Sequence, residues 1–278
     1  MIPQILIDED LKRWLAEDIP LWDITTSLLP NYKAKGKIFA KQEGIIAGLF
    51  LVKRAFEMVG ADIKLLVEEG SKVANKTPIV SFTGNIHSLL QIERLSLNIL
   101  GRLSGIATQT DLMINIAKQY NPNIRICATR KTAPGLAKYD KYAITKGGGD
   151  THRFNLSDMI LLKENHLKMF KSITEAIENA KSKTSFSKKI EVEVKNKEEA
   201  LEAVTAGADI IMLDNFKPVN VKLVIPTIKN VNSSVLIELS GNINFENVEL
   251  YAVEGVDLIS SGALTHTVKN FDLTMLIE

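Results

Sequence analysis

Positively charged side chains are concentrated between Ala128 and His166, in the stretch ATRKTAPGLAKYDKYAITKGGGDTHRFNLSDMILLKENH. The concentration is local, because the chain of 278 residues has 34 Lys and Arg against 33 Asp and Glu. The cations are Arg130, Lys131, Lys138, Lys141, Lys146, Arg153 and Lys163. Guanidinium and ammonium groups bind carboxylate or phosphate, and the backbone N–H groups of a glycine run, here GGG followed by DTHR, bind the same anions. These residue types predict an anion site.

Two apolar runs, Ile124–Ala128 and Met159–Leu162, bracket this stretch and have the character of strands. Arg130 and Lys131 follow the first run, and Lys163 follows the second. In β/α proteins the C-terminal ends of the strands form the edge at which ligands bind. Taken one at a time, strand-end cations and glycine runs are more often ordinary surface. Their occurrence together in a nearly neutral chain favours a binding site.

From Asn121 onwards, short apolar runs alternate with helical patterns. This alternation predicts an α/β fold in which a parallel sheet, covered by helices, closes into a β/α barrel. Six strands are predicted, fewer than the eight of a regular barrel. They are Ile124–Ala128, Met159–Leu162, Ile190–Val194, Ile210–Leu213, Val235–Leu239 and Leu258–Ser260.

The preceding part of the chain predicts a separate, partly antiparallel domain over residues 1–105, to which residues 268–278 return. The barrel domain then comprises residues 106–267. A β-hairpin is predicted over residues 68–84, with Asn75-Lys76 as its turn. A long helix is predicted from Ile86 to Tyr120, broken or kinked at Gly101 and Gly105.

The later predicted strands end in acids and in small residues. Glu191 and Glu193 alternate in IEVEV and therefore face the same side of their strand. Glu193 and Asp214 are hard oxygen ligands that suit Mg²⁺, although salt bridges to barrel lysines would also account for them. Ser240-Gly241 and Gly262 allow backbone amides to approach a phosphate, or form ordinary strand-to-helix turns.

Three segments of the stretch described first, TRKTAPGL, KYAITKGGGDTHR and LLKENH, resemble the signature of the quinolinate phosphoribosyltransferase family. The resemblance continues in the family's order and spacing through IEVEV, IIMLDNF, ELSGNI and ISSGALTH, and so covers most of the chain. It implies an atypical, incomplete β/α barrel with an N-terminal α+β sandwich domain. It also implies a decarboxylating pentosyl transfer in NAD biosynthesis. Quinolinate and phosphoribosyl pyrophosphate (PRPP) give nicotinate mononucleotide, pyrophosphate and carbon dioxide.

The resemblance also implies roles for individual residues. Those implied to be catalytic are Lys131, Lys163, Glu193 and Asp214. Those implied to bind substrate are Arg94, Arg130, Lys131, His152, Arg153, Lys163, Glu193, Asp214, Ser240, Gly241, Gly262 and His266. Among them, Glu193 and Asp214 would hold Mg²⁺ beside the ribose, and Gly241, Gly262 and His266 would bind the 5-phosphate. Two residues depart from the family pattern, Trp22 and Asn242, each of which stands where a glycine is usual.

The assembly implied by the resemblance is a homodimer, or a hexamer formed as a trimer of dimers. In it, Arg94 crosses into the partner's site and binds a substrate carboxylate. Without the resemblance, Arg94 reads as an exposed helical residue paired with Glu93 or Asn98.

Composition limits the other classes of function. The net charge of +1 gives no support for nucleic-acid binding. No apolar run approaches the length that spans a bilayer, and the acidic N-terminus MIPQILIDEDLKRW does not resemble a signal peptide. The single cysteine, Cys127, fits a reducing compartment. A cytoplasmic protein with small-molecule substrates is predicted, and the basic loop Lys181–Lys189 is interpreted as solvated surface.

Three other functions compete with this interpretation. Nicotinate phosphoribosyltransferase, a fold relative, uses a monocarboxylate, which requires fewer cations than this chain supplies. A molybdenum-transport-associated paralogue is expected to have altered LLKENH and GGGDTHR segments, and here both resemble the enzyme. A catalytically silent, dimeric anion-binding protein has little use for the paired acids Glu193 and Asp214.

Overall fold

The computed structural model describes residues 2–278. Two compact units are present. The first consists of the chain up to Gln109, the segment Lys138–Gly147 and the segment Val268–Glu278, and the second consists of Thr110–Ala137 and Gly148–Thr267. Within residues 2–278, no helix has both the length and the apolar character needed to cross a membrane.

The helices and strands of the described residues follow one another along the chain. They are α1 (Gln4–Asp18), α2 (Ile24–Ser27), β1 (Lys33–Ala40), β2 (Gly44–Ile45), α3 (Leu49–Met58), β3 (Asp62–Leu65), β4 (Lys72–Val73), β5 (Pro78–Asn85), α4 (Ile86–Lys118), β6 (Arg125–Cys127), α5 (Ala137–Lys146), β7 (Ile160–Leu162), α6 (Glu164–Leu167), α7 (Ile173–Lys183), β8 (Ile190–Val194), α8 (Lys197–Thr205), β9 (Ile210–Asp214), α9 (Pro218–Val231), β10 (Leu236–Ser240), α10 (Val248–Tyr251), β11 (Leu258–Ser260), α11 (Ala263–His266) and β12 (Leu273–Ile277).

The first unit is built on a four-stranded antiparallel sheet with the order β12-β1-β5-β3. β1 alternates exposed and buried residues, as expected for a strand with one face on the core. Ile38 and Phe56 are fully buried in this unit. The C-terminal strand β12 pairs with β1, so the two ends of the chain contribute to one sheet.

The predicted hairpin over residues 68–84 is wrong. β4 pairs with β2, while β5 pairs with β1 and β3. A turn does occur at Lys76, which has a φ of 69°, but the Lys76 N–H donates to the carbonyl of Ala40 at 2.8 Å. The reason is that β1 offers β5 an antiparallel partner along almost its whole length, whereas β4 is only two residues long.

The predicted break in the long helix is also wrong, because α4 runs without interruption through Gly101 and Gly105. A Cβ atom on Gly105 would collide with the carbonyl oxygen of Lys269, and one on Gly101 would lie 3.2 Å from that of Phe271. The Phe271 N–H donates to the Gly101 carbonyl at 2.8 Å. The two glycines therefore let the C-terminal segment cross the helix at close range.

The second unit contains a six-stranded parallel sheet with the order β6-β11-β10-β9-β8-β7. The first strand of this unit, β6, pairs with the last, β11, and each later strand pairs with its neighbour in sequence. This is the circular order of a β/α barrel. β6 and β7 are not paired in the described sheet, so the barrel is open between them. The predicted α/β class and incomplete barrel are confirmed.

All six predicted strands of the barrel are present, with ends shifted by no more than one residue. Their residues are buried almost without interruption, because a parallel strand is covered on both faces. The helical patterns predicted between these strands correspond to α7, α8, α9 and α10.

Helix α5 lies in the first unit, although the predicted boundaries assign its residues to the barrel domain. Asp140 is fully buried and accepts two hydrogen bonds from Arg102 at 2.8 Å. Lys138 forms an ion pair with Asp10 at 2.6 Å. Lys138, Lys141 and Lys146 therefore belong to a different unit from the other cations of the basic stretch.

Candidate active site

Most functional residues predicted in the second unit lie at or directly after the C-terminal ends of its strands, whereas His152 and Arg153 lie between α5 and β7. Lys163 follows β7, Glu193 lies near the end of β8 and Asp214 ends β9. Parallel strands present these ends at one edge of the sheet. The remaining members of the set are Arg130 and Lys131 after β6, Ser240 and Gly241 at the end of β10, and Gly262 and His266 after β11.

Two lysines and two acids meet at this edge. The Lys163 Nζ lies 2.8 Å from Glu193 Oε2. Burial, followed by the negative charge of Glu193, raises the pKa of Asp214 above its ordinary value. This rise in the pKa of Asp214 is opposed by the hydrogen bond from Asn215 and by the positive charges of Lys163 and Lys131. Since a charge influences a pKa only at short range, these side chains share one site.

Lys131, in the loop after β6, also lies next to the residues that follow the last barrel strand, β11. A Cβ atom on Gly262 would lie 2.8 Å from Lys131 Cδ and 2.9 Å from His266 Cδ2. The hydroxyl of Thr265 donates to the carbonyl of Lys131 at 2.8 Å. The loop after β6 and the turn after β11 are thus held together, which brings Lys131 and His266 to the same mouth as the acids.

The turn after β10 is shaped by Gly241 and Asn215. Gly241 has a φ of 108°, and a Cβ atom there would meet Asn215, including its backbone nitrogen at 2.8 Å. Asn215 itself has a φ of 54°, and its amide donates to Asp214 Oδ2 at 2.6 Å. The Asn215 N–H donates to the carbonyl of Ser240 at 2.9 Å. Asn242 takes a φ of 51°, a left-handed conformation that asparagine tolerates better than most residues.

Replacing Gly241 with Ala is expected to raise the KM for the phosphorylated substrate by about tenfold, because the new methyl group forces apart the Asn215 and Gly241 backbones at a left-handed position. Asn242→Ala, one residue further along the exposed turn, is the matched control. Steady-state kinetics provide the measurement, with PRPP, the phosphorylated substrate that the resemblance implies, as the varied substrate. An unchanged KM in a folded Gly241→Ala protein would remove this turn from the site.

His152 is held inside the barrel by two acids. Its Nε2 hydrogen-bonds to Glu238 Oε2 at 3.0 Å and lies 3.2 Å from Glu191 Oε2. Burial, the largest influence, favours the neutral ring, but Glu191 and Glu238 together raise the pKa of His152 to about 10. Burial and the charge of Glu238 also raise the pKa of Glu191 to about 7, against the opposing effects of His152 and Arg153.

Arg130 and Arg153 are close enough to affect each other. Burial, and then the charge of Arg130, lower the pKa of Arg153, while Glu191 opposes this shift. Arg153 is buried and Arg130 is exposed. Two neighbouring guanidinium groups repel one another, so this pair is suited to a bound anion that compensates their charge.

Arg94 is exposed on α4 in the first unit. Its assignment to a neighbouring subunit's site stays a prediction, as do the individual roles of the other residues.

Sequence reasoning missed Glu238, Asn215 and Thr265 as parts of the site. A signal for Glu238 was present, since it is a lone acid in an otherwise apolar predicted strand. Such a residue requires a buried partner. Asn215 and Thr265 had no comparable signal, because their contacts depend on strands that are distant in sequence.

The fold and the site define the chain as a β/α-barrel protein joined to an α+β domain, with cations, paired acids and a glycine turn at the barrel's C-terminal rim. Two family models match it: the C-terminal domain of quinolinate phosphoribosyl transferase over residues 106–276 and the N-terminal domain over residues 23–104. The chain belongs to the quinolinate phosphoribosyltransferase family.

Individual relatives agree with this assignment. The "Probable nicotinate-nucleotide pyrophosphorylase (carboxylating)" of Methanocaldococcus jannaschii is 44% identical over 271 residues, covering 95% of each chain. The nicotinate-nucleotide pyrophosphorylase (carboxylating) of Dictyostelium discoideum is 36% identical over 293 residues, covering 100% of this chain and 98% of its own. The crystal structure of NadC from Streptococcus pyogenes superposes with a TM-score of 0.93 at 35% identity, covering 100% of this chain and 98% of that one.

Proposed function

We propose that this chain is a quinolinate phosphoribosyltransferase, which converts quinolinate and PRPP to nicotinate mononucleotide, pyrophosphate and carbon dioxide. One observation carries the proposal. Lys131, Lys163, Glu193 and Asp214, which are distant in sequence, meet at one rim of the barrel beside Gly262. A site with cations on one side and acids on the other suits a reaction between an anionic nucleophile and an anionic, phosphorylated sugar.

The cationic side of the site is the proposed quinolinate pocket. Quinolinate carries two carboxylates, and the planar guanidinium group of arginine binds a carboxylate through two parallel hydrogen bonds. Burial and the positive charge of Arg130 lower the pKa of the buried Arg153, which supports the assignment of both guanidinium groups to one ligand. Lys131 and Lys163 contribute further positive charge at the side that faces Glu193 and Asp214. Several cations favour this dicarboxylate over nicotinate, which has one carboxylate.

The acidic side is the proposed site for the ribose and for Mg²⁺. Glu193 and Asp214 are partly buried, and burial together with the charge of Glu193 raises the pKa of Asp214, so the two carboxylates supply hard oxygen ligands in one site. Glu193 already forms an ion pair with Lys163 at 2.8 Å, which supports its role as a carboxylate that binds a cation in the site. The donor set fits Mg²⁺, which binds through one or two carboxylates together with substrate phosphates. When bound, the ion would screen the negative charge of the departing pyrophosphate.

The chain's own residues then act mainly by position and charge. The pyridine nitrogen of quinolinate attacks the anomeric carbon of PRPP while pyrophosphate leaves. Positive charge develops on the sugar, and the carboxylates of Glu193 and Asp214 stabilise it. The 2-carboxylate is afterwards lost as carbon dioxide, because the positively charged ring nitrogen stabilises the electron pair left on C2, and this pair then takes up a proton from solvent to give the C–H bond of the product. No enzymic base is required, and holding both substrates in line is the main contribution of the site.

The direct test is the formation of nicotinate mononucleotide from quinolinate, PRPP and Mg²⁺, with release of carbon dioxide measured in parallel. Nicotinate in place of quinolinate is the matched control. Product with quinolinate and little with nicotinate supports the proposal, and the opposite preference identifies a nicotinate phosphoribosyltransferase. An inactive protein that still binds quinolinate would instead be an anion-binding relative.

Replacing Arg130 with Ala is expected to raise the KM for quinolinate by about tenfold or more, because removing one arginine leaves a substrate carboxylate without its paired donors. The KM for PRPP should change much less. Arg125→Ala, an exposed arginine at the opposite end of β6, is the matched control. Unchanged saturation by quinolinate would exclude Arg130 from the pocket.

We also propose a homodimer in which Arg94 completes the partner's pocket. Exposed apolar side chains in the first unit support an interface there: Leu21 is 89% exposed, Trp22 74% and Leu28 79%. Large exposed apolar residues that lie close together in sequence are typical of protein interfaces. Trp22, which replaces a glycine of the family pattern, is one of them. A cytoplasmic location is proposed as well, supported by the single cysteine.

A further inference from the structure

Glu191 and Glu238, two buried acids on either side of His152, have been given no role in the reaction described above. One ligand atom from each of the three residues lies within 4.8 Å of the others. The Glu191 and Glu238 side chains are inaccessible to solvent, and that of His152 is only 9% exposed. Two acids from different strands, β8 and β10, therefore face one imidazole inside the barrel.

This arrangement is unfavourable for the fold alone. One ring nitrogen, His152 Nε2, faces both carboxylates, at 3.0 Å from Glu238 Oε2 and 3.2 Å from Glu191 Oε2. Both carboxylate oxygens of Glu191 and one of Glu238 have no hydrogen-bond partner within the described residues. Burying carboxylates without hydrogen bonds is costly, and apolar side chains in these strands would avoid that cost. A functional reason for the two acids is therefore expected.

The backbone around His152 indicates which residues the two acids help to position. His152 has a φ of 51°, an uncommon conformation for a residue with a side chain. The backbone N–H of His152 donates to Asp150 Oδ1 at 2.8 Å. The backbone of Asp150 is in turn bonded to the β6 segment: its N–H donates to the Ile126 carbonyl, and its carbonyl accepts from the Ala128 N–H. The segment that carries His152 and Arg153 is thus fixed to β6, the strand that precedes Arg130. Strained residues of this kind occur where a side chain must take one position.

We propose that Glu238, assisted by Glu191, is a positioning residue for dicarboxylate binding, which fixes His152 and Arg153 beside Arg130. The acids balance part of the positive charge while the pocket is empty, so the neighbouring cations stay in place instead of moving apart. This inference rests on the proposed function, because it assigns the fixed cations to quinolinate. It extends that function to residues that lie beneath the pocket.

A metal ion is the competing explanation for the same three residues. The direct hydrogen bond between His152 Nε2 and Glu238 Oε2 uses the two atoms that would bind an ion. The charge of Arg153 already acts on Glu191, and a second positive charge beside it would be repelled. The positioning role is therefore favoured.

The test compares Glu238→Gln with wild type and with Asp257→Asn. Asp257 accepts hydrogen bonds from Lys229 and from the Ile237 N–H, just before β11 and therefore at the other end of the same sheet. Its replacement controls for the loss of one partly buried carboxylate. Quinolinate binding is measured by calorimetry, and the KM for PRPP and kcat by steady-state kinetics, with thermal unfolding recorded for all three proteins.

Glu238→Gln is expected to weaken quinolinate binding by about tenfold and to change the KM for PRPP by less than about twofold, whereas Asp257→Asn leaves both unchanged. A purely structural role would affect both substrates, kcat and the unfolding temperature together. Quinolinate affinity within about twofold of wild type in folded Glu238→Gln would overturn the proposal. Stoichiometric metal in the wild type, lost in the variant, would also overturn it.

If Glu238→Gln fails to fold, the wild-type protein decides the question. The ¹⁵N signals of the His152 ring should shift when quinolinate is added and stay unchanged with PRPP alone. If quinolinate binds and the chemical shifts of these ¹⁵N signals do not change, the proposal is contradicted. Wild-type protein that binds no quinolinate would contradict the proposed function itself, so the two failures are distinguishable.

Discussion

Asp214→Asn is expected to lower kcat by about 10²–10³-fold at saturating substrates, because the variant removes a negative charge where positive charge develops on the sugar. The amide has nearly the same shape, so Gly241 and Asn215 should keep their positions. Glu193→Gln should have a similar effect and should also leave Lys163 without its ion-pair partner. The effect should appear in kcat more than in the KM for quinolinate, since the cationic side of the site is unchanged.

Glu164→Gln is the matched control for both variants. Glu164 lies at the same rim, where it forms ion pairs with Lys168 at 2.9 Å and with Lys195 at 2.7 Å. These contacts are on the exposed surface and are expected to contribute little to stability. The Mg²⁺ dependence of each variant is measured at the same time. If Asp214→Asn and Glu164→Gln have the same kcat, the acidic side of the site has been misassigned.

Mixing an Arg94→Ala protein with an Arg153→Ala protein is expected to restore activity that neither has alone. Each variant should lose about thirtyfold or more in kcat/KM for quinolinate, because removing one partner of a buried charge pair is costly. In the hybrid dimer one site combines an intact barrel with an intact Arg94, and the other site lacks both arginines. With random subunit exchange, half of the dimers are hybrids with one active site of two, so about a quarter of wild-type activity should return.

The control for this experiment is a mixture of Arg153→Ala and Arg130→Ala. Both residues belong to the barrel unit of one chain, so every site in the hybrid stays damaged and no activity should return. Differently tagged subunits establish that exchange has occurred. If proven hybrids of Arg94→Ala and Arg153→Ala stay inactive, the shared site is refuted and Arg94 is an exposed helical residue without a role in catalysis.

The elements of the barrel were predictable because each is a local pattern. β8 and β11 were predicted with the ends they have in the structure, since short apolar runs bounded by polar residues are typical of buried parallel strands. The hairpin predicted around Lys76 failed for the opposite reason. Turn residues indicate where a chain reverses, but the pairing of β5 with β1 depends on a strand that lies much earlier in the sequence.

The glycines of α4 show the same limit. Gly101 and Gly105 predicted a kink from their intrinsic helix propensity, and the helix is continuous because tertiary contacts override that propensity. The close approach of Lys269 to Gly105 cannot be inferred from either segment alone. Likewise, Lys138 was grouped with the anion-binding cations by proximity in sequence, although it pairs with Asp10 in the first unit.

The sequence by itself determined the number and the order of the barrel strands, the residue types at their C-terminal ends and the family to which the chain belongs. These features are encoded locally, in runs of apolar residues and in short motifs. The tertiary structure decided which of these side chains meet. It placed Lys163 against Glu193, Lys138 against Asp10, and Glu238 against His152. Contacts between distant segments depend on strand pairing and on the closure of the sheet, which no local pattern specifies.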